Sequence, residues 1–442
     1  MPHYVKDPGA IDAIQAEFDR GTLDPVILLE QTLQRCRDAE PAVAAWRALD
    51  EAGAARQAQA RARELAAGRR RSALHGIPVA IKDVIDVAGM PTRAGSLSRA
   101  QVPPAPADAE IVAALRAAGA VILGKVHTTE FAYFDGPPPT RNPWHTAHTP
   151  GGSSGGPAAA VAAGMVACSI GTQTAGSVVR PAAYCGIAAF KPTSQNGSTF
   201  GIVPLAPAFD TPGWFGHRCS DVVAMSQAIH PLRYRPADTP TPRIGVVDDA
   251  LFGDMHADAR ADLDRAAARL AAAGYAVEKA MPATPLQALL DDHRIVLEHE
   301  LARVHGGTLA MAPAGQVTPA VLAAIERGRR IDEDAHARAR AALAAAQDSC
   351  WDAWASYDVL LAPAAPGSAP AGMATGDPRY IIPFTALGGP IVTLPTGQDR
   401  AGMPLGTMLM ARPGADARLL AQALRLAAAI EQPRDWQPAT PA

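Results

Sequence analysis

Thr149-Pro150-Gly151-Gly152-Ser153-Ser154-Gly155-Gly156-Pro157, followed by Ala158-Ala159-Ala160-Val161-Ala162-Ala163-Gly164, is the stretch that decides the reading of the chain. Its glycines and paired serines make a backbone that a ligand can approach closely. Pro157 suits the first turn of a helix and Gly164 its end. Met165 to Ile170 then reads as a strand. Gly171-Thr172-Gln173-Thr174-Ala175-Gly176-Ser177 is a second loop of small residues before Val178-Val179-Arg180-Pro181. A helix of about eight residues rises roughly 12 Å, and a strand of about six returns roughly 20 Å, so the two serine loops can meet at one sheet edge. Such loops alone fit phosphate binding, or a plain turn, as well as a catalytic serine.

Lys82 adds a third element. It ends Ile77-Pro78-Val79-Ala80-Ile81-Lys82-Asp83, where an apolar strand carries a lysine toward the interior. Burial disfavours the ammonium and lowers its pKa, and a neutral lysine can serve as a base. The plain alternative is a lysine that ends an edge strand and snorkels to water.

Outward from this core, helical and strand patterns alternate, which implies an α/β sheet. The first seventy residues read as helical, with Asp24-Pro25 as an N-terminal cap and a second helix from about Asp50 to Ala67. Further strands are expected at Ala120–Leu123, Arg243–Val247, Tyr275–Val277, Val359–Pro363 and Pro390–Pro395. Helices are expected at Ala109–Ala118, Ala257–Ala273, across 286–349, and at Ala415–Ile430. No low-complexity linker or fixed-period repeat marks a boundary.

Composition excludes several classes. Of 442 residues, 48% are hydrophobic and 19% charged, with a formal net charge of -3, so a folded globular protein is expected and nucleic acid is not a favoured partner. The one basic run, Arg69-Arg70-Arg71, reads as a solvated helix end. Five cysteines without a CxxC pair suit a reducing cytoplasm. No signal peptide or membrane anchor is read, because Ala158 to Ile170 is too short to span a bilayer and is broken by Gly164.

The combination resembles the amidase signature family of serine hydrolases. The matching pieces are Gly76–Asp83, Gly124–Ala132, Asn142-Pro143-Trp144, Pro150–Gly156, Gly176-Ser177-Val178-Val179-Arg180-Pro181-Ala182-Ala183, Lys191-Pro192-Thr193 and Gly402-Met403-Pro404-Leu405-Gly406. The resemblance implies one large α/β domain over 71–442, a mixed central sheet flanked by helices, with 1–70 as a helical segment packed on it. It implies a Ser-Ser-Lys triad in which Ser177 is the nucleophile, Ser153 bridges through a cis peptide bond with Gly152, and Lys82 is the ultimate base. Backbone N–H groups of Thr174, Ala175, Gly176 and Ser177 would form the oxyanion hole. Ser154 would orient Lys82, Arg180 would fix the loop, and Ala132 and Tyr133 would face the acyl group. The 24-residue step from Ser153 to Ser177 is the family's step.

The implied activity is hydrolysis of a small-molecule carboxamide through an acyl-enzyme, without cofactor or metal, by a monomer or homodimer. A urea- or carbamate-type C–N hydrolase and a catalytic subunit of a tRNA-dependent amidotransferase are the alternatives. Many members carry an Asp and two glycines before the nucleophile, where this chain has Gln173-Thr174-Ala175-Gly176. That departure and the acidic balance speak against the amidotransferase.

Other motifs compete. Gly151–Gly155 satisfies G-x-S-x-G, which would make Ser153 the nucleophile with His299 or His305 as partner. Gly119 to Lys125 imitates a P-loop, but Val126 replaces the metal-binding hydroxyl and 120–123 read as strand. His145 and His148 lie on a loop, and His299-Glu300 meets its next histidine only at His305, which breaks the H-E-x-x-H spacing.

Overall fold

Two buried runs, Pro78–Lys82 and Cys168–Gln173, pair as neighbouring parallel strands and fix the frame around which the chain is built. The computed structural model describes residues 4, 5, 7, 9–134, 138–235 and 239–432. In chain order the strands are β1 (Trp46–Leu49), β2 (Pro78–Lys82), β3 (Val121–Val126), β4 (Cys168–Gln173), β5 (Ala188–Lys191), β6 (Thr211–Gly216), β7 (Arg243–Val247), β8 (Ala276–Ala280), β9 (Val359–Pro363), β10 (Ile391–Gln398) and β11 (Pro404–Met410). They form one sheet in the order β1-β3-β2-β4-β6-β5-β10-β11-β9-β7-β8. Its two wings, β3-β2-β4 and β9-β7-β8, are parallel, and antiparallel pairs join them. This is the expected mixed sheet of a large α/β domain.

Parallel pairing determines where the chemistry falls. Ile81 stands opposite Ile170, so the ends of β2 and β4 emerge at the same edge and carry Lys82 and the 173–177 loop there together. Between them, the Gly155–Ala162 helix is buried along its whole length, which side chains as small as Gly, Pro, Ala and Val permit. Gly164 ends it in the left-handed region, at φ 67°.

Two expectations are corrected. The strand after that helix runs from Cys168 rather than Met165, because Met165 still closes the helix end on Ala160 O. A buried apolar run does not distinguish such a turn from a strand. Within the helical first seventy residues, Trp46–Leu49 instead pairs antiparallel with β3, in a segment too short for any periodicity to reveal. The helices expected across 286–349 are Ala288–Ala310, Pro319–Arg329 and Glu333–Ala353, with Pro319 and Asp332 opening the second and third.

The P-loop look-alike is a strand. Its Lys125 is buried, 3.0 Å from Asp83 Oδ1. Arg70 and Arg71 pair with Asp19 and Glu64 beyond the helix ending at Ala66. Among the described residues, no helix is long and apolar enough to cross a membrane.

Two glycines test the packing in opposite directions. A Cβ on Gly156 would lie 2.4 Å from His127 O and 2.6 Å from His127 N, so Gly156→Ala should destabilise by about 1–3 kcal/mol or more. Gly307, inside the Ala288–Ala310 helix, has nothing within 4 Å of that position, and Gly307→Ala should stabilise by up to about 1 kcal/mol. Thermal melts of both variants check the pair.

Candidate active site

Lys82 ends β2 inside the protein, with no solvent exposure. Its Nζ lies 2.7 Å from Ser153 Oγ, 2.8 Å from Thr172 Oγ1 and 3.4 Å from Thr172 O. Burial drives its pKa well below the ordinary lysine value, only partly opposed by the Asp210 carboxylate. A neutral amine offers two donors and one lone pair, which suits two contacts to Thr172 oxygens and one acceptance from the Ser153 hydroxyl.

Ser153 enters through the only cis peptide bond among the described residues, Gly152–Ser153. Arg180, fully buried, donates from Nη2 to Gly152 O at 2.6 Å and ties the two loops together. Ser154 reaches Lys82 only indirectly: its hydroxyl donates to Thr172 O at 3.1 Å, and Thr172 holds the lysine. Ser153 has Lys82 as its partner. Neither histidine of the elbow reading fills that place, because His305 Nε2 bonds Pro204 O and His299 faces the 333–353 helix.

Ser177 ends the second of these loops, 6% exposed, just before the Val179–Cys185 helix. Its hydroxyl bonds no other described residue, and the N–H groups of Ala175, Gly176 and Ser177 donate to none. The next two, of Val178 and Val179, both donate to Gln173 Oε1, at 2.9 and 3.1 Å. Gln173 Nε2 donates to Thr385 Oγ1, whose hydroxyl passes on to Ala175 O at 2.5 Å. Gln173 is thus an internal cap for the loop, a role for its amide that the sequence reading missed.

Two further residues hold Thr174. His293 Nε2 donates to Thr174 O at 2.9 Å, and burial brings its pKa down to about 4, so the ring is neutral. Thr174 Oγ1 donates to Asp210 Oδ1 at 2.5 Å, while the backbone N–H groups of Leu205 and Ala206 serve Oδ2. The carboxyl pKa of Asp210 is raised by burial against those bonds. Thr172 was legible as a hydroxyl in the second serine loop. His293 and Asp210 carried no local signal.

A cleft of about 480 Å³ adjoins the loop, lined in part by Tyr133, Phe134, His293, Arg327 and Pro378. Pro378 and Ile381 cover Gly176 so closely that a Cβ there would come within 3.0 Å of Ile381. Tyr133 Oη accepts from Arg327 Nη2 at 3.3 Å, and Arg327 also pairs with the buried Glu298. Ala132 lines a smaller cavity with Thr172, Thr174 and Asp210.

The amidase family model matches residues 27–420, and the chain belongs to the amidase signature family, a family of C–N hydrolases. One subunit of the glutamyl-tRNA(Gln) amidotransferase of Rhodopirellula baltica is 31% identical over 92% of this chain and 93% of its own length. The corresponding subunit of Roseiflexus castenholzii is 32% identical over 96% and 95%. Among solved structures, an amidase superposes with a TM-score of 0.85 at 29% identity, covering 96% of this chain and all of its own. A vestigial protein complex bearing on the origin of an s-triazine catabolic enzyme also gives 0.85, at 28% identity over 96% and 99%. The peptide amidase of Stenotrophomonas maltophilia gives 0.78 at 29% identity over 94% and 96%.

Removing the internal cap tests how the loop is held. Gln173→Ala leaves two buried N–H groups without a partner, at about 1–3 kcal/mol each. The variant should melt several degrees lower and lose turnover out of proportion to any change in KM. An unchanged kcat would show that the loop keeps its shape without Gln173.

Proposed function

We propose that the chain is an amidase that hydrolyses a small-molecule carboxamide, acyl or aryl, to acid and amine or ammonia through an acyl-enzyme on Ser177. The observation that carries this reading is the dry contact of 2.7 Å between Lys82 Nζ and Ser153 Oγ, together with Ser177, whose hydroxyl bonds no other described residue. Neutral Lys82 accepts the Ser153 proton while Ser153 Oγ takes the proton of Ser177. Ser177 Oγ then attacks the amide carbonyl, and its C–O bond forms as the carbonyl π pair moves to oxygen. The N–H groups of Thr174, Ala175, Gly176 and Ser177 receive that oxyanion, a stabilisation worth about 3–4 kcal/mol per donor. Collapse breaks the C–N bond, and Ser153 delivers the proton to the leaving nitrogen while Lys82 returns one to Ser153. Water repeats the sequence on the ester and releases the acid.

The cleft walls support one class of acyl group. Tyr133 and Phe134 offer aromatic faces, and Arg327, held on Glu298, offers a polar edge, so an acyl group with one apolar face suits this cleft. Ala132 and Tyr133 are proposed to face it. Ureas and carbamates present the same carbonyl on nitrogen and are the nearest variants of this reading.

A second reading has its own support, since curated relatives covering nearly the whole chain are amidotransferase subunits. In it the same triad would release ammonia from glutamine for partner subunits. A screen of anilides, primary amides, carbamates and biuret-like ureas with the purified chain separates the two. Turnover of any of these alone supports the hydrolase, whereas glutamine hydrolysis only with added partners supports the amidotransferase.

The pH profile carries a sign. Protonated Lys82 cannot accept a proton, so kcat/KM should fall as pH drops through its depressed pKa and hold level above it. Lys82→Ala should lose about 10²–10⁴-fold in rate. Its residual cleavage of an activated aryl ester should lack that acid limb. An acid limb surviving in the variant would assign the base elsewhere.

A further inference from the structure

We propose that His299, Glu333 and His336 form a divalent-cation site, suited to zinc, that ties the Ala288–Ala310 helix to the Glu333–Ala353 helix. One ring nitrogen of each histidine and a Glu333 carboxylate oxygen lie within 4.8 Å of one another. Glu333 and His336 stand three apart on one helix and so share a face. His299 comes from the helix opposite, and the two imidazoles stack with centroids 4.2 Å apart and 22° between their planes, so one ring turns about its χ2 for both in-plane lone pairs to meet one ion.

Two contacts at the site are too long for hydrogen bonds. His299 Nε2 is 3.7 Å from Glu333 Oε1, and His336 Nε2 is 3.5 Å from Glu300 Oε1. Both exceed ordinary hydrogen-bond lengths. Both approach the edge of about 3.4 Å that a tetrahedron with metal–ligand bonds of about 2.1 Å would have. Among the described residues, His336 Nε2 is buried without a hydrogen-bond partner, although a buried polar atom normally has one. His299 is only 5% exposed.

The donor set selects the ion class. Two imidazoles with one carboxylate, and Glu300 within reach as another, suit zinc or a similar first-row ion rather than calcium or magnesium, which prefer all-oxygen sites. Two cations oppose it: Arg303 Nη1 lies 3.5 Å from Glu333 Oε1, and Arg340 Nη1 lies 3.6 Å from Glu300 Oε1. Their side chains are 65% and 53% exposed and can turn to solvent when an ion takes the carboxylates. The broken H-E-x-x-H pattern is thereby accounted for, since the second histidine comes from another helix and His305 is engaged by Pro204 O.

The site lies six residues, about 9 Å along the helix, from His293, which holds Thr174. An ion there would clamp a wall of the cleft without touching the reacting atoms, so the proposal stands apart from the assigned reaction.

Metal-free protein titrated with Zn²⁺ by calorimetry, and with Co²⁺ by visible absorption, tests it. One equivalent should bind, Co²⁺ should give a tetrahedral-type band, and Zn²⁺ should raise the melting temperature by about 2 °C or more. His336→Ala and Glu333→Gln, shown to be folded by circular dichroism, should each weaken Zn²⁺ binding at least about tenfold. His145→Ala, which removes one ring of the His145–His148 pair, should not. Absence of binding by the parent protein, unaltered affinity in both site variants, or loss only in His145→Ala would overturn the assignment.

Discussion

Lys82 Nζ sits 2.7 Å from Ser153 Oγ at a position without solvent exposure, and the rest of the active-site arrangement depends on keeping that contact dry. Water around the amine would restore the ammonium, whose three donors leave no lone pair for a serine proton. Dryness is achieved by the sheet. β2 is buried along its whole length, and the all-small Gly155–Ala162 helix closes over its neighbour β4 without leaving room for solvent. Asp210 is the opposing influence, for it favours the ammonium from behind Thr174. Burial raises the pKa of Asp210 and lowers that of Lys82, so the same desolvation weakens both charges.

A second requirement is a loop that leaves its own N–H groups unused. Those of Ala175, Gly176 and Ser177 bond nothing in the described chain, which is tolerable only at a place meant to receive another acceptor. Side chains hold the surrounding backbone instead. Gln173 takes the next two N–H groups, Thr385 takes Ala175 O, and His293 takes Thr174 O. Because His293 belongs to a helix that lines the cleft, the wall and the nucleophile loop share one hydrogen bond.

Much of this was legible because the decisive residues are local. Glycines, serines and proline over 149–157 announce a loop and a helix start, Gly164 its stop, and Asp24-Pro25 caps its helix as read. Parallel pairing explains how Lys82, 71 residues before Ser153, arrives at the same edge. What remained hidden is non-local. Nothing around His293 or Asp210 in sequence distinguishes them from other helix or loop residues, and their importance arises only when Thr174 lies between them. The Trp46–Leu49 strand was hidden for another reason, since its four residues are specified by the open edge of β3 rather than by their own pattern. The departure at Gln173 was visible, but its effect was not: an amide accepts two N–H groups with its oxygen and still donates with its nitrogen, so one side chain caps the helix start and anchors Thr385.

Mapping the site of covalent modification tests the central claim most directly. A fluorophosphonate should label the parent protein on the peptide carrying Ser177, should label Ser153→Ala slowly at that same residue, and should not label Ser177→Ala. A label found on Ser153 in the parent protein would contradict the account, because it would make the serine beside Lys82 the nucleophile rather than the proton carrier.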